Sequence, residues 1–559
     1  MSGPGRWVAP DAPPRGPWPA RRWLAAIVAL NVALTLYGLG WGLPDRWCLD
    51  EQVASSLRLL QSRSMLTVVS VIHPQLYNFF LAALFVPYLL ALKIGGYPFD
   101  PVQAAGSVSW LAMTAVAPEF GVGLYVIARL ASVALGAASV VITYRIGKLL
   151  YGERAGLVAG VMLAVTMGFV ETNHLAKHTS LVVLLVLVAG YLSISAYRRG
   201  SMAGLFWASF VSGLAFTAKL DGAIAGVFVI GAYGYLRRER RGGERRTLRD
   251  AARLAVCFVV GVLAGWPAVL SHAPVYLANR GKRWGLFYGG PPAADVNGLM
   301  AVLEKARDNL GHIFVVFGAP LGVLALASFA WLIHRARRDV ASRILLAMML
   351  VYSAVVVGYY TAWPGAYTKL MIHLVPTLAI AMGGAVEAAR MKASAKGAVL
   401  AAVVVFSVFY TYQADAVYAE RDTRYAATSW IEQNIPRGAS IAMVQEIDLL
   451  FSSRVLRDYE ILYLDRSSRT YTGSLFRSEP AEARAALDRL DREGSRADYF
   501  ALAQGRDFTR PPAPGTFLWR LLNGRDSGYD LVRSFTHRGT LLAPKPGYAS
   551  PDVLIFRRK

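Results

Sequence analysis

Two adjacent carboxylates, Asp50 and Glu51, follow the first long apolar run of the sequence. They stand in the segment LPDRWCLDEQVASSLRLL, whose first residue is Leu43. A carboxylate at the edge of an apolar phase can act as a general base on an incoming hydroxyl, and an adjacent acid can raise its proton affinity or bind part of the acceptor. Alternatively, Asp50 caps the amphipathic helix that follows it. We predict that Asp50 and Glu51 are catalytic, with Asp50 as the base.

Further polar side chains that could bind a substrate lie in two short runs. His73 stands before a proline, so it either marks the start of a helix or places an imidazole beside a substrate or a carboxylate. The run ETNHLAKH contains two histidines spaced by four residues, which would permit metal binding on a helix, although such a pair is weak support for a metal. We therefore predict no metal site and no required cofactor, with a divalent metal as the less favoured alternative. The predicted substrate-binding or orienting residues are His73, Glu171, His174 and Lys177.

Basic residues recur at the ends of the apolar runs, on the side that the charge pattern assigns to the outside. Each one alone could be an anchor whose charge reaches the lipid headgroups. Together they predict a binding site for an anionic phosphate, because cations and charge-assisted hydrogen bonds stabilise phosphate oxygens. The candidates at helix ends are Arg129, Lys177, Lys219 and Lys369, and Arg280, Lys282 and Arg283 lie in a long outer loop.

The composition identifies the kind of element that must position these residues. The chain has 559 residues, of which 55% are hydrophobic and only 17% charged, whereas roughly 25% charged residues are typical of soluble domains. An ordinary soluble enzyme is therefore excluded. The net charge of +23 would suggest nucleic-acid binding in a polar protein, but here the basic residues lie between long apolar runs.

The apolar runs predict a multispan α-helical membrane protein. A helix needs roughly 20 apolar residues to cross the hydrocarbon layer. The first run shows no cleavage pattern and is interpreted as a span. Two further runs, 73–93 and 102–118, could raise the count from eleven to thirteen. The eleven predicted spans are 23–43, 122–149, 155–171, 178–197, 202–219, 222–236, 252–271, 311–334, 344–362, 367–388 and 397–414.

The distribution of Lys and Arg predicts the orientation, because cytoplasmic loops retain basic residues. Six segments, including the tail 1–22, contain 24 Lys and Arg against six Asp and Glu, and they alternate with the remaining loops. We predict a cytoplasmic N-terminal tail, a transmembrane catalytic domain over 23–414 with a first outer loop at 44–121, and an extracytoplasmic C-terminal domain over 415–559. The protein should thus reside in a bacterial-type cytoplasmic membrane.

After Ala414 the sequence becomes typical of a soluble α/β domain. Predicted strands alternate with helical segments, and no Gly-rich phosphate loop or nucleophile elbow is present. A substrate-guiding or structural role is favoured over a catalytic one. The predicted strands are 441–444, 459–464, 499–502, 529–532 and 553–556, and the predicted helices include 425–434 and 479–493.

Several of these motifs, taken in order, resemble a known family. The sequence is similar to the polyprenyl-phosphate-sugar-dependent glycosyltransferases that include protein O-mannosyltransferases and bacterial lipid A aminoarabinose transferases. Each motif is degenerate alone, but their order is fairly specific, and the similarity spans most of 23–445. The motifs are Asp50-Glu51, HPQLYNFF (73–80), YVIARLASVALGAASVVITYRIGKLLYGERAG (125–156), ETNHLAKHTSLVVLL (171–185), GLAFTAKLDGA (213–223), AYTKLMIHLVPTLAI (366–380) and DTRYAATSWIEQNIPRGASIAMV (422–444).

The resemblance implies a GT-C-type fold with juxtamembrane helices in the first outer loop, which favours eleven spans. It implies that Asp50 is the catalytic base, that Arg129 holds the donor phosphate, and that Lys219 and Lys369 face the same cavity. The donor would be a sugar on a polyprenyl phosphate, transferred with inversion to a protein, lipid or glycan acceptor. One departure is Thr179, where many relatives carry an acid, and it argues against a second acid or a metal.

The sequence thus predicts an integral-membrane glycosyltransferase whose partners are a polyprenyl-phosphate sugar, an acceptor and membrane lipids, with no nucleic acid. The main alternative is a transporter or flippase of lipid-linked sugars, because charged residues at helix ends also line translocation paths. The absence of an inverted repeat and the position of the acids on one side of the membrane disfavour it. A non-catalytic membrane scaffold is the third possibility.

Overall fold

The structure is a computed structural model in which most of the chain is helical. The described residues are 20–43, 51–62, 74–96, 118–240, 244–271, 307, 310–359, 372–445, 458–465, 469–472, 496–504, 515, 517–525, 527–537, 541–543 and 549–559. The helices before the C-terminal region are α1 (Ala20–Leu36), α2 (Val53–Ser62), α3 (Leu76–Ile94), α4 (Pro118–Tyr151), α5 (Glu153–Ala164), α6 (Met167–His174), α7 (His178–Arg199), α8 (Met202–Ala218), α9 (Ala225–Arg240), α10 (Glu244–Gly265), α11 (Ala319–Ala336), α12 (Val340–Tyr359), α13 (Leu374–Ala388) and α14 (Ala393–Ala419).

Several of these helices can cross a membrane. Within the described residues, α3, α4, α7, α11 and the stretch beginning with α14 are long and apolar enough, and α5 with α6, bent by 59°, would form a sixth span. The helices α8, α12 and α13 are apolar but shorter. Each of the eleven predicted runs contains part of a described helix. The membrane character is thereby supported, while the counts of eleven and thirteen stay predictions.

The first outer loop of the prediction contains two described helices. The short helix α2 begins two residues after Glu51, and α3 covers most of the ambiguous run 73–93. Because α3 has 19 residues and high hydropathy, it meets the length requirement of a span. The other ambiguous run, 102–118, lies almost wholly outside the described residues.

Close packing of the helices depends on small residues. Gly213 of α8 faces the backbone of α10 at Phe258 and Val262, and Gly261 of α10 faces the carbonyl of Phe210. A Cβ atom at either glycine would collide with the opposite backbone. Small residues at such crossings let two helix backbones approach closely, which strengthens van der Waals contact within a bilayer.

The C-terminal region forms a mixed sheet. Its elements are α15 (Thr423–Asn434), β1 (Ser440–Gln445), β2 (Glu460–Asp465), β3 (Arg469–Thr472), β4 (Tyr499–Gln504), α16 (Phe517–Leu522), β5 (Tyr529–Phe535) and β6 (Asp552–Arg558). In the part of the chain that the structure describes, the strand order is β3-β2-β1-β4-β6-β5. Strand β1 runs parallel to β2 and β4, and the other neighbouring pairs are antiparallel.

Alternation along the central strands gives the sheet two apolar faces. Ile441 and Met443 pack with α15 on one face, whereas Ala442 packs with Phe500 and α16 on the other. Strands occur at all five predicted positions, and α15 occurs at the predicted helix 425–434. The sequence analysis missed β3, and the predicted helix 479–493 lies outside the described residues.

Candidate functional site

The centre of the site is a buried ion pair between Glu51 and Arg129. Arg129 lies on α4, and its Nε and Nη2 atoms donate to the two carboxylate oxygens of Glu51, each at 2.8 Å. The side chains are 1% and 0% exposed. A bidentate guanidinium–carboxylate contact of this kind fixes both distance and orientation. The pair therefore holds the residue next to Asp50 against α4.

Arg129 also fixes the chain that follows α1. Its Nη1 atom donates to the carbonyl oxygens of Leu39 at 2.6 Å and Trp41 at 2.7 Å. All three guanidinium nitrogens thus contact protein acceptors, and the charge is balanced by Glu51. In this geometry Arg129 connects the turn that follows α1 to Glu51, two residues before α2. Direct contact between Arg129 and a donor phosphate stays a prediction.

Glu51 is held on a second side by the chain between α6 and α7. The backbone N–H of Ala176 donates to Glu51 Oε1 at 2.9 Å, and the N–H of Gln52 donates to the Ala176 carbonyl at 3.0 Å. With Arg129 included, the Glu51 carboxylate accepts three hydrogen bonds, which suits a positioning role better than proton transfer. Asp50, the predicted base, lies outside the described residues.

The run ETNHLAKH forms a break between two helices. Helix α6 ends at His174, and Leu175 and Lys177 have extended backbone angles before α7 begins at His178. His174 and His178 therefore do not lie on one continuous helix, which was the condition for metal binding by this pair. His174 Nε2 instead lies 3.0 Å from Asp415 Oδ1 on α14, and both side chains are buried.

The other predicted residues of this run are also buried. Glu171 is 8% exposed and accepts a long hydrogen bond, 3.5 Å, from the Tyr418 hydroxyl. Lys177 is 6% exposed. Glu171 and His174 thus connect α6 to α14 through Tyr418 and Asp415. Contact of any of these side chains with a substrate stays a prediction, and His73 lies outside the described residues.

A second polar cluster forms around Lys219. The extended backbone of Lys219 ends α8, and a 3₁₀ turn, Leu220–Ile224, follows it. This turn brings Asp221 back, so that Lys219 Nζ donates to Asp221 Oδ2 at 2.7 Å. His373 Nε2 lies 3.7 Å from Asp221 Oδ1, and the His373 ring packs edge-on against Tyr352.

The structure therefore adds Asp221 and His373 to the residues found in the sequence. Both lie inside the quoted motifs, in TAKLDGA and KLMIH, and a search for every ionisable residue within these motifs would have found them. Lys219 is partly exposed at 16%, whereas His373 is fully buried. Lys369, predicted to face the same cavity as Lys219, lies outside the described residues.

Comparisons with known proteins agree with this architecture. Residues 107–266 match the model of the dolichyl-phosphate-mannose-protein mannosyltransferase family, a segment that includes Arg129, the run ETNHLAKH and Lys219. A comparison with curated protein sequences gave no match.

Solved structures give a match over almost the whole chain. ArnT from Cupriavidus metallidurans bound to undecaprenyl phosphate has a TM-score of 0.50 and 12% identity, with 96% of this chain and 98% of that chain covered. The oligosaccharyltransferase AglB from Archaeoglobus fulgidus gives 0.48 and 11%, covering 97% and 89%. The S. cerevisiae Pmt1-Pmt2 protein O-mannosyltransferase complex gives 0.32 and 14%, covering 48% and 35%.

The fold of the chain is similar to that of ArnT, and residues 107–266 are similar to the protein mannosyltransferase family. The predicted resemblance to GT-C-type glycosyltransferases is thereby confirmed. The similarity lies in the fold and in residues 107–266.

Proposed function

We propose that this protein transfers a sugar from a polyprenyl-phosphate donor to an acceptor hydroxyl at the outer face of the cytoplasmic membrane. The transferred group is a hexose or a pentose, and the acceptor is a protein, lipid or glycan. The N-terminal tail is cytoplasmic, and the region 415–559 is extracytoplasmic. The ArnT structure, which shares this fold, contains undecaprenyl phosphate, and this supports the donor class.

The observation that carries the proposal is the buried Glu51–Arg129 pair. Burying two charges costs free energy that a bidentate contact only partly offsets, so a geometric task is the simplest reason for the pair. The contacts of Glu51 with Arg129 and Ala176 fix the chain at the position that directly follows Asp50. A general base must be held within hydrogen-bond reach of the proton that it takes.

The proposed reaction is a direct displacement at the anomeric carbon. Asp50 takes the proton from the acceptor hydroxyl, and the oxygen forms a bond to the anomeric carbon from the face opposite the phosphate. The bond from that carbon to the phosphate oxygen breaks, and polyprenyl phosphate leaves with the electron pair. The anomeric centre is inverted and passes through an oxocarbenium-like transition state.

The leaving phosphate gains negative charge as the bond breaks, so nearby cations lower the barrier. We assign this role to Lys219 and Lys369, with Arg129 acting mainly through Glu51. The contact between Lys219 and Asp221 holds the ammonium group in one place at the end of α8. His373, beside Asp221, is a further polar group for the donor end of the site.

The test is transfer by the purified protein in lipid vesicles. The probes are undecaprenyl phosphate and dolichyl phosphate carrying radiolabelled mannose or labelled aminoarabinose, with a bacterial envelope extract as the acceptor source. We expect labelled acceptor and free polyprenyl phosphate to form together. Asp50→Asn should lower the rate by about 10²- to 10⁴-fold, the range for loss of a general base.

Two results would contradict the proposal. Retained transfer by Asp50→Asn would remove Asp50 as the base. Movement of the labelled lipid across the bilayer without acceptor, and without release of polyprenyl phosphate, would instead identify a transporter or flippase. Asp45→Asn is the matched control, because it makes the same change five residues earlier in the sequence.

A further inference from the structure

Trp41 contacts both the buried ion pair and the C-terminal region. Its backbone carbonyl accepts a hydrogen bond from Arg129 Nη1 at 2.7 Å, and its indole N–H donates to Asp422 Oδ2 at 3.1 Å. Trp41 is 5% exposed and lies in the turn that follows α1. One residue therefore connects the cluster around Glu51 to the start of α15.

The C-terminal region holds Asp422 rigidly. Asp422 caps α15 by accepting from the Arg424 N–H at 3.0 Å, and its carboxylate accepts from Arg424 Nε and Nη2, each at 2.9 Å. The N–H of Ser550, just before β6, donates to Asp422 Oδ2 at 2.7 Å. Arg424 is fully buried, and its guanidinium carbon lies 5.5 Å from the centre of the Trp41 ring. The place of Trp41 is thus set by residues of the C-terminal region.

A second contact connects α15 to the turn that contains Trp41. The Tyr425 hydroxyl donates to the Leu43 carbonyl at 2.7 Å, so α15 holds both ends of the short segment 41–43. The Trp41 ring packs edge-on against Tyr418, with ring centres 5.1 Å apart, and belongs to a buried cluster that includes Leu175. Leu175 precedes Ala176, whose N–H donates to Glu51. The buried cluster around Trp41 is therefore connected to Glu51 in two ways, through Arg129 and through Ala176.

We propose that Trp41, Asp422 and Tyr425 are positioning residues through which the C-terminal region sets the geometry of the Glu51–Arg129 pair. The inference rests on the proposed function, because the pair is taken to hold the chain next to the base. According to this proposal, contacts of the C-terminal region affect the rate of transfer, in addition to any role of that region in guiding the acceptor. If the contacts of Trp41, Asp422 and Tyr425 were purely structural, losing them would lower the stability of the protein without changing the local order of residues 51 and 52.

The first test uses Trp41→Phe and Tyr425→Phe in the full chain. Trp41→Phe removes the indole N–H but keeps a ring in the cluster, and Asp422 retains its hydrogen bonds from Arg424 and Ser550. Tyr459→Phe is the matched control, because the Tyr459 hydroxyl donates to backbone carbonyls of Ile431 and Ile435 within the C-terminal region. Each of the three variants thus loses the polar group of one aromatic residue, which is buried for Trp41 and Tyr459 and partly buried for Tyr425.

We expect kcat for transfer to fall about three- to tenfold in Trp41→Phe, the range that loss of one hydrogen bond allows. The KM for the polyprenyl-phosphate sugar should change by less than about twofold, since the donor contacts are intact. Tyr425→Phe should behave in the same way if Trp41→Phe fails to fold. Tyr459→Phe should keep the wild-type kcat. An equal fall in kcat for Tyr459→Phe at equal thermal stability would overturn the proposal.

Hydrogen–deuterium exchange gives a readout that does not need activity. Below the unfolding temperature, peptides covering 51–62 should exchange faster in Trp41→Phe and Tyr425→Phe than in wild type or Tyr459→Phe. Unchanged exchange in both Trp41→Phe and Tyr425→Phe would refute the proposed coupling between the C-terminal region and Glu51. If the wild-type protein shows no transfer from any of the lipid donors, the proposed function fails, and the exchange comparison still decides whether the C-terminal region orders the segment around Glu51.

Discussion

The Glu51–Arg129 pair offers the sharpest test of how the site is built. Replacing Arg129 by Met leaves the Glu51 carboxylate buried without its countercharge, and the Leu39 and Trp41 carbonyls lose the Arg129 donor. Breaking one side of a buried ion pair costs about 3–5 kcal/mol. Met replaces the apolar stem of Arg and lacks the guanidinium, so the lost ion pair should account for most of this cost. We therefore expect Arg129→Met to lower the free energy of unfolding by about 3–5 kcal/mol.

The partner variant Glu51→Leu should be destabilised to a similar degree, because it removes the carboxylate that faces the buried Arg129 guanidinium. The double variant, Glu51→Leu with Arg129→Met, removes both charges and should recover much of the loss. The recovery of stability should be incomplete. The Ala176 N–H no longer has the Glu51 acceptor, and the Leu39 and Trp41 carbonyls no longer have the Arg129 donor. A coupling free energy well above 0.5 kcal/mol is thus expected from the double-mutant cycle, as for residues in direct contact.

The assay is unfolding in mixed micelles by titration with a denaturing detergent, with transfer measured in parallel. The double variant should regain stability but not transfer, because the segment next to Asp50 is no longer held in a fixed orientation. Additive free-energy changes in the cycle would refute the ion pair as described. Wild-type transfer by the double variant would refute its role in placing the base.

The remaining predictions concern packing and the C-terminal sheet. Gly213→Val should force α8 away from α10 and cost about 1–3 kcal/mol, lowering the thermal unfolding midpoint in detergent, whereas Gly226→Val, with open space around an added Cβ, should not. Hydrogen bonds from the Ser440 N–H and hydroxyl hold the pKa of Asp498 below its ordinary value. Stability from this contact is present above the unfolded-state pKa, about 4, and is lost as pH falls through the folded pKa. Asp498→Asn should therefore be less stable than wild type at pH 7, with the difference shrinking below about pH 4, and a constant difference across the range would exclude this cause.

Much of the fold could be predicted because the relevant patterns are local. A span requires an unbroken apolar run, and each of the eleven predicted runs contains part of a described helix. The strands of the C-terminal region were predicted for the same reason, since alternation within five or six residues identifies a strand. The strand β3 was missed because its residues, Arg469–Thr472, carry little apolar alternation.

The site was predicted as a set of residue types, and the contacts between them were not. Arg129 and Glu51 are 78 residues apart, and the sequence analysis assigned them to separate tasks. His174 was considered as a partner of His178 at a spacing of four, but the helix ends between them and Asp415, 241 residues away, is the actual neighbour. A spacing argument holds only where the backbone is continuous, and the sequence does not show where a helix breaks inside an apolar run.

By itself, the sequence determined that long apolar runs typical of a membrane protein alternate with short charged segments, and it predicted that the most basic of these segments are cytoplasmic. These properties follow from the cost of placing polar groups in lipid, which acts on each segment separately. The tertiary structure alone decided that Glu51 pairs with Arg129 and that Lys219 lies beside Asp221 and His373. It also decided that Trp41 connects the Glu51–Arg129 pair to Asp422. Such partners are set by how helices pack across hundreds of residues, where a shift of one turn brings different side chains together.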